Sequence, residues 1–265
     1  MATYIDQLGT SHTFEKQPVR IVSLVPSQTE LLYDLGLEDN IVGITKFCVH
    51  PLHFKATKTI VGGTKNIKFD KIKALQPDII ICNKEENTKE IVEELSQICP
   101  VWVTDIYTIP DNQQMISDFG QLFNKRTEAQ KWIDKINFAY QDFQQFIKDK
   151  PIKKAAYFIW ANPYMVAGNQ TFINELLQIN HFQNIYSNKE SRYPEIELKK
   201  IRLEGDPDYV FLSSEPFPFK DEHAFEIGRF THHAKTVFVD GEMFSWYGSR
   251  LLKAFDYFKL LHAKI

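Results

Sequence analysis

The chain has 265 residues, 43% of them hydrophobic and 25% charged, with a net charge of −3. That length and balance exclude a mainly disordered chain and suit one large domain or two lobes with cores of their own. There is no long basic block of the kind that binds nucleic acid, and no apolar run approaches the ~20 residues that span a bilayer.

The N-terminus, MATYIDQLGTSHTFEKQP, lacks the basic and apolar regions of a secretory signal. As written, the chain therefore reads as cytoplasmic, or as periplasmic or cell-surface if a signal has been removed. Cys48, Cys82 and Cys99 are odd in number and have no metal-ligand spacing, so reduced thiols are expected.

In chain order, Val19 to Val25 (VRIVSLV) is an apolar run, followed by the amphipathic segment TELLYDLG that ends at Gly36. Ser27, with Glu30 three residues later, reads as the cap and capping box of that helix. Asn40 to Thr45, Asp78 to Cys82 and Val101 to Thr104 read as further strands, the last two separated by the helix TKEIVEELSQI. Short apolar runs alternating with helices imply parallel α/β units.

From Arg126 to Lys148 the pattern changes. Ala129, Trp132, Ile133, Ile136, Ala139, Tyr140, Phe143, Phe146 and Ile147 recur at helical spacing, predicting a helix roughly 34 Å long. Such a helix is either one strand of a coiled coil or a strut joining two lobes. Strand signals return at Lys154 to Trp160, Met165 to Ala167, Tyr209 to Leu212 and Thr236 to Val239.

Glu30-Leu31-Leu32 with Asn40-Ile41 matches Glu175-Leu176-Leu177 with Asn184-Ile185. Pro77-Asp78 before an apolar run matches Pro207-Asp208. The shared order implies two lobes of one ancestry, with 1–125 and 151–265 as lobes and 126–150 as the helix between them.

Several segments resemble the substrate-binding proteins of iron-siderophore and vitamin B12 ABC importers, the helical-backbone metal receptors. They are RIVSLVPSQTELLYDLGLEDNIVGIT, VGGTKNIKFDKIKALQPDIII, PYMVAGNQTFINELLQINHFQNIY and RYPEIEL. The resemblance implies an α/β fold of two Rossmann-like lobes with parallel sheets, bridged by one long rigid helix, with the ligand in a cleft between the lobes. It further implies a monomeric, non-enzymatic binder of a corrinoid or ferric siderophore that serves an ABC transporter permease. The alternative is a cytoplasmic relative that binds a corrinoid, heme or metal chelate as carrier, sensor or enzyme without a permease.

For such a cleft, ligand contacts belong at the C-terminal ends of parallel strands. That rule, applied to the resemblance, selects Phe47, Thr64, Lys65, Trp160, Tyr164, Tyr193, Glu215, Phe217, Trp246, Tyr247 and Arg250. Trp246 and Tyr247, in the turn MFSWYGSR, are expected at the mouth of the second lobe as aromatic walls for a flat chelate. Arg250 is expected there as a clamp for an anion or a ring, and Gly248 as relief for the turn. Thr64 and Lys65 stand where corrinoid binders of the family carry an aromatic, which counts against cobalamin itself. The family's permease-docking acids map onto Asp70 and Glu197, with Lys199 and Lys200 beside the second. His50 and His53, and the adjacent His232 and His233, are expected as surface histidines. No phosphate loop, dinucleotide fingerprint or hydrolase elbow is present, and the one nucleophile pair adjacent in sequence is Cys48 with His50.

Overall fold

Short apolar runs become the strands of two mostly parallel sheets in the computed structural model, which describes residues 1–265. The chain opens with a hairpin, β1 (Ala2–Ile5) and β2 (Ser11–Phe14), that is absent from the expected elements. There follow β3 (Ile21–Ser23), α1 (Pro26–Asp34), β4 (Ile41–Ile44), α2 (Phe54–Thr57), β5 (Thr59–Ile60), α3 (Phe69–Leu75), β6 (Ile79–Asn83), α4 (Lys89–Leu95), β7 (Val101–Thr104) and α5 (Ile109–Leu122). The first sheet is ordered β5-β4-β3-β6-β7 with every pair parallel. Strands β6 and β7 are buried throughout, which is why they read as continuous apolar runs without alternation.

Helix α5 is the largest element missing from the sequence expectations. Its start carries a legible signal, however. Thr108 Oγ1 accepts from Asp111 N at 3.2 Å, and Asp111 Oδ2 accepts from Thr108 N at 2.9 Å, with a proline in the first turn.

The long helix α6 runs Arg126–Ile147, 22 residues, or about 33 Å. Its buried stripe is narrower than the nine apolar positions imply: Ala129, Ile136, Phe143 and Ile147 are buried, while Phe138 and Phe146 are exposed. Trp132 Nε1 donates to Asp34 O at 3.1 Å and so ties the helix to the end of α1.

The chain forms two compact units, 1–138 with 247–252 and 139–246 with 253–265. The division falls inside α6, so the helix is shared rather than standing as a separate segment 126–150. The six residues from Tyr247 to Leu252 belong to the first unit, not the second as expected.

The second unit contains β8 (Lys153–Trp160), β9 (Met165–Val166), α7 (Phe172–Ile179), β10 (Phe182–Asn184), α8 (Ile201–Glu204), β11 (Tyr209–Ser213), α9 (Asp221–Gly228), β12 (Lys235–Val239), α10 (Gly241–Ser245) and most of α11 (Leu251–Lys264). Its sheet runs β10-β8-β11-β12 in parallel, with β9 antiparallel on β8. Its core includes Ala156, Phe158, Val210, Leu212 and Ile227, and that of the first unit Val22, Leu24, Ile72, Ile80 and Leu95.

The two sheets share one connectivity, with β4-β3-β6-β7 corresponding to β10-β8-β11-β12. The sequence repeat has a physical meaning at its aspartates. Asp78 Oδ2 accepts from the backbone N–H groups of Val19 and Arg20, both at 2.9 Å, just ahead of β3. Asp208 Oδ2 accepts from Lys154 N at 2.7 Å, at the start of β8. In each unit the carboxylate preceding one strand satisfies amides at the start of its neighbour.

Candidate functional site

In the first unit the loops at the C-terminal strand ends are held by a buried polar network. Gln28, in the first turn of α1, is wholly buried; its Nε2 donates to Thr104 Oγ1 at 2.5 Å and to the Tyr247 hydroxyl at 3.1 Å. Asn83 closes β6: its Oδ1 accepts from Glu85 N at 2.8 Å, and its Nδ2 donates to Thr104 O at 3.1 Å. Asn87 Oδ1 accepts from Asn83 N at 3.0 Å, and Asn87 Nδ2 donates to Thr64 O at 2.9 Å. Side-chain amides thus occupy the donors and acceptors that loop backbones leave open.

Around this scaffold lie the more exposed groups. Phe47 is 48% exposed, with Lys46 Nζ 4.9 Å from its ring centre. A Cβ at Gly63 would lie 3.1 Å from that ring, so the glycine leaves room for it. Thr64 and Lys65 both act on Glu86. Burial raises the Glu86 carboxyl above its ordinary range, opposed by the Lys65 charge and a Thr64 hydrogen bond. Lys84 Nζ meets Asp105 Oδ2 at 2.7 Å, and the Tyr107 hydroxyl donates to the same oxygen at 2.9 Å. The structure therefore gathers Phe47, Thr64 and Lys65 on one rim, with Lys84, Glu86, Asp105 and Tyr107 added. Lys84 and Tyr107 follow the ends of β6 and β7, where the strand-end rule itself points, and the acidic pair Glu85-Glu86 just after β6 was the sequence signal for Glu86.

The MFSWYGSR segment departs from expectation. Ser27 does not cap α1: Val25 is the capping residue, without a side-chain bond, and Pro26 opens the helix. Glu30 instead accepts from Arg250 through both oxygens, Nε to Oε2 at 2.7 Å and Nη2 to Oε1 at 2.8 Å. Arg250 is 4% exposed. Its planar fork is thus matched by a carboxylate of its own unit, which corrects the expectation of a guanidinium presented to a ligand.

Tyr247 is 7% exposed, and burial, with the Glu86 charge behind it, raises its phenol above the ordinary range. Gly248, at φ +81, would place a Cβ 3.2 Å from Leu31 Cβ and 3.3 Å from Ser27 O. Glycine is needed there for both reasons. Gly248 N donates to Asn112 Oδ1 and Ser249 Oγ to Asp34 Oδ2, each at 2.5 Å. The segment 247–252 is built into the first unit.

In the second unit the strand ends carry the aromatics. Trp160, at the end of β8, is 40% exposed, and its ring meets Phe217 edge-on at 5.5 Å. Phe217 also packs on Phe219 at 5.0 Å and on His223 at 5.1 Å. The Tyr164 hydroxyl donates to Glu226 Oε2 at 2.7 Å; burial and that carboxylate raise its phenol. Glu215 Oε1 accepts from Trp246 Nε1 at 2.7 Å and from Ser245 Oγ at 3.1 Å. Trp246 itself is only 7% exposed. Tyr193 is half-buried in a strap along β9, where Gly168 N donates to Arg192 O at 2.8 Å and Arg192 Nε to Gln170 O at 2.8 Å. Trp160 and Phe217 thus share one aromatic contact, Tyr164 packs edge-on against Phe158 at 5.9 Å, and the buried Trp246 is paired with the half-buried Glu215.

The remaining sequence candidates are placed as follows. Asp70 lies exposed in the first turn of α3. Glu197 is exposed, and its charge is held below the ordinary carboxylate range by Lys200 first and Lys199 after it. Cys48 is fully buried, with its sulfur 3.1 Å from Thr29 Oγ1 and 3.3 Å from Thr45 Oγ1, and burial pushes its thiol up. Burial also raises Cys82, and pushes Cys99 up to about 12. No thiol is poised as a nucleophile at neutral pH. Iodoacetamide at pH 7.5 is expected to leave all three unmodified in the native protein and to modify all three in urea, as read by intact mass.

Comparison with known proteins gives consistent relatives. A family model described as "Periplasmic binding protein" matches residues 21–231. An uncharacterized ABC transporter substrate-binding lipoprotein of Bacillus subtilis, YvrC, is 25% identical over 270 residues, covering 96% of this chain and 83% of that protein. The crystal structure of the periplasmic vitamin B12 binding protein BtuF of Vibrio cholerae superposes with a TM-score of 0.79 at 20% identity, covering 94% of this chain and 98% of that one. The siderophore-binding protein BauB, bound to two molecules of acinetobactin and ferric iron, superposes with a TM-score of 0.76 at 19% identity over 97% of both chains. These structures share the fold of two α/β units and a long helix.

Proposed function

Because this chain belongs to the periplasmic binding protein family, we propose that it is the substrate-binding component of an ABC-type uptake system for a metal chelate, either a corrinoid or a ferric siderophore. The observation that carries the reading is the presence of an exposed aromatic side chain near the C-terminal strand ends of each unit, Phe47 in the first and Trp160, packed on the half-buried Phe217, in the second. Flat or apolar chelate faces match such walls, because aromatic rings bury large areas with little conformational entropy to lose. Lys46 is exposed beside Phe47, and with the exposed Lys65 of the same unit it favours an anionic chelate. The names of the relatives, a vitamin B12 binder and a ferric-siderophore binder among them, support the same ligand class.

The mechanism is binding without covalent chemistry. Trp160, Phe217 and Phe47 supply apolar contact, while Thr64, Lys65 and Tyr164 supply polar contact. Glu215, Trp246, Tyr247 and Arg250 act behind them by fixing the loops. Tyr193 extends the wall in the second unit, and Asp70 and Glu197 serve as the contacts to the permease. Reversing the charge of both acids is expected to abolish uptake while leaving ligand affinity unchanged.

The direct test is tryptophan quenching of the purified protein with aquocobalamin, hemin, a ferric catecholate and a ferric hydroxamate. Saturable binding of at least one, micromolar or tighter, is expected, and silence across all four would refute the reading. Trp160→Ala should weaken the ligand found by at least about tenfold, while changing stability by no more than about 1 kcal/mol, the scale of one exposed ring contact.

A further inference from the structure

The second unit holds a cluster away from its aromatic surface. Asp206, His232 and His233 bring three ligand atoms within 4.8 Å of one another. They stand just ahead of β11 and β12, which are neighbours in parallel register from Tyr209 opposite Lys235. The cluster therefore lies at the N-terminal ends of the strands, whereas Trp160 and Phe217 follow C-terminal ends. The geometry points to a site for a first-row divalent transition ion, held by Asp206, His232 and His233 and oriented by Asp208.

The His233 ring sits between two carboxylates. Its Nδ1 is 3.8 Å from Asp206 Oδ2, and its Nε2 is 3.5 Å from Asp208 Oδ1. Neither distance is that of a good hydrogen bond. Two atoms that each bind one ion at ~2.1 Å stand at most ~4.2 Å apart, so the 3.8 Å gap accommodates an ion between Nδ1 and Oδ2. His232 is exposed, and one of its ring nitrogens lies within 4.8 Å of the ligand atoms of Asp206 and His233.

Two independent observations support an ion there. Asp206 Oδ1, the oxygen of the same carboxylate that does not face His233, is buried without a hydrogen-bond partner, so this carboxylate has acceptor capacity that nothing in the protein uses. Asp208 is fixed through its other oxygen, which accepts from Lys154 N at 2.7 Å, leaving Oδ1 toward the far nitrogen of His233. At 3.5 Å from Nε2, Asp208 Oδ1 is placed to become the outer carboxylate partner usual for a metal-bound histidine once an ion draws on Nδ1. The first unit uses Asp78 for the same strand-starting role, but Cys99-Pro100 precede its β7. The histidine pair is thus not required by the fold. Two imidazoles and one carboxylate with an open position suit Zn2+, Ni2+, Co2+ or Cu2+ better than Mg2+ or Ca2+.

Titration calorimetry of the full chain with Zn2+ tests the site. One equivalent is expected to bind, to be lost in His232→Ala/His233→Ala and to survive in His53→Ala. Asp208→Asn, which keeps all three ligands, should weaken binding by about 10–100-fold. Should the double variant fail to fold, Asp206→Asn together with the visible spectrum of the Co2+-loaded wild type decides the matter. A nitrogen–oxygen spectrum without thiolate charge transfer, lost in Asp206→Asn, is expected. Stoichiometric Zn2+ binding that persists at full strength in either variant, or no saturable uptake by the wild type, would overturn the site. Chelate binding at the aromatic surface is measured separately and is independent of either result.

Discussion

Arg250→Ala is expected to lower the free energy of unfolding by about 3–5 kcal/mol, the cost of leaving a buried charge without its partner. The guanidinium and the Glu30 carboxylate are 5% and 6% exposed in their side chains and meet through two bonds of 2.7 and 2.8 Å. Truncation strands Glu30 in α1, the helix whose first seven residues are all buried. Lysine should rescue little, since a point charge cannot reproduce the fork. Glu30→Met/Arg250→Met should recover most of the loss, because apolar side chains of similar volume remove both desolvation penalties together. Urea denaturation of the four proteins measures this. An Arg250→Ala midpoint equal to wild type, with large loss of chelate affinity, would return Arg250 to the ligand surface.

Trp246→Ala should also act through stability, by about 3–5 kcal/mol, the usual range for emptying a buried aromatic site. The indole is 7% exposed and donates to Glu215, whose loop carries Phe217 two residues on. Trp246→Phe keeps most of the packing and removes the donor, so it should cost about 1.5–3 kcal/mol, the worth of a hydrogen bond to a charged acceptor. Thermal melts of both variants beside Trp160→Ala separate the roles. Loss of ligand at full stability is expected for Trp160, and loss of stability for Trp246. The opposite pattern would place Trp246 in the ligand wall after all.

The strands and helices were largely legible. The apolar runs at Ile79–Asn83 and Val101–Thr104 are strands almost to the residue, and the long helix matches its predicted span to within one residue. The matched Pro-Asp pairs proved to be equivalent strand starts. The hairpin β1–β2 escaped because two four-residue strands with exposed faces leave only a weak alternation. Helix α5 escaped although its capping box was present in Thr108 to Asp111. For the candidate site, the strand-end rule selects Phe47, Thr64 and Lys65 on the first unit and Trp160, Tyr164 and Phe217 on the second, and these are the residues the proposed ligand surface rests on. It could not assign Arg250, because the residue that binds it stands 220 positions earlier.

Backbone periodicity, burial and turn chemistry act over a few residues, so the order of elements, the duplicated α/β plan and the long helix can be read from the chain alone. Pairings of charge and shape across the fold cannot. That Glu30 serves Arg250 rather than capping its own helix depends on which loops the sheets bring together. So does the return of Tyr247–Leu252 to the first unit, and the meeting of His233 with two aspartates. Each follows from distances that close only after folding, and a polar side chain there takes the nearest complementary partner because burial without one is costly.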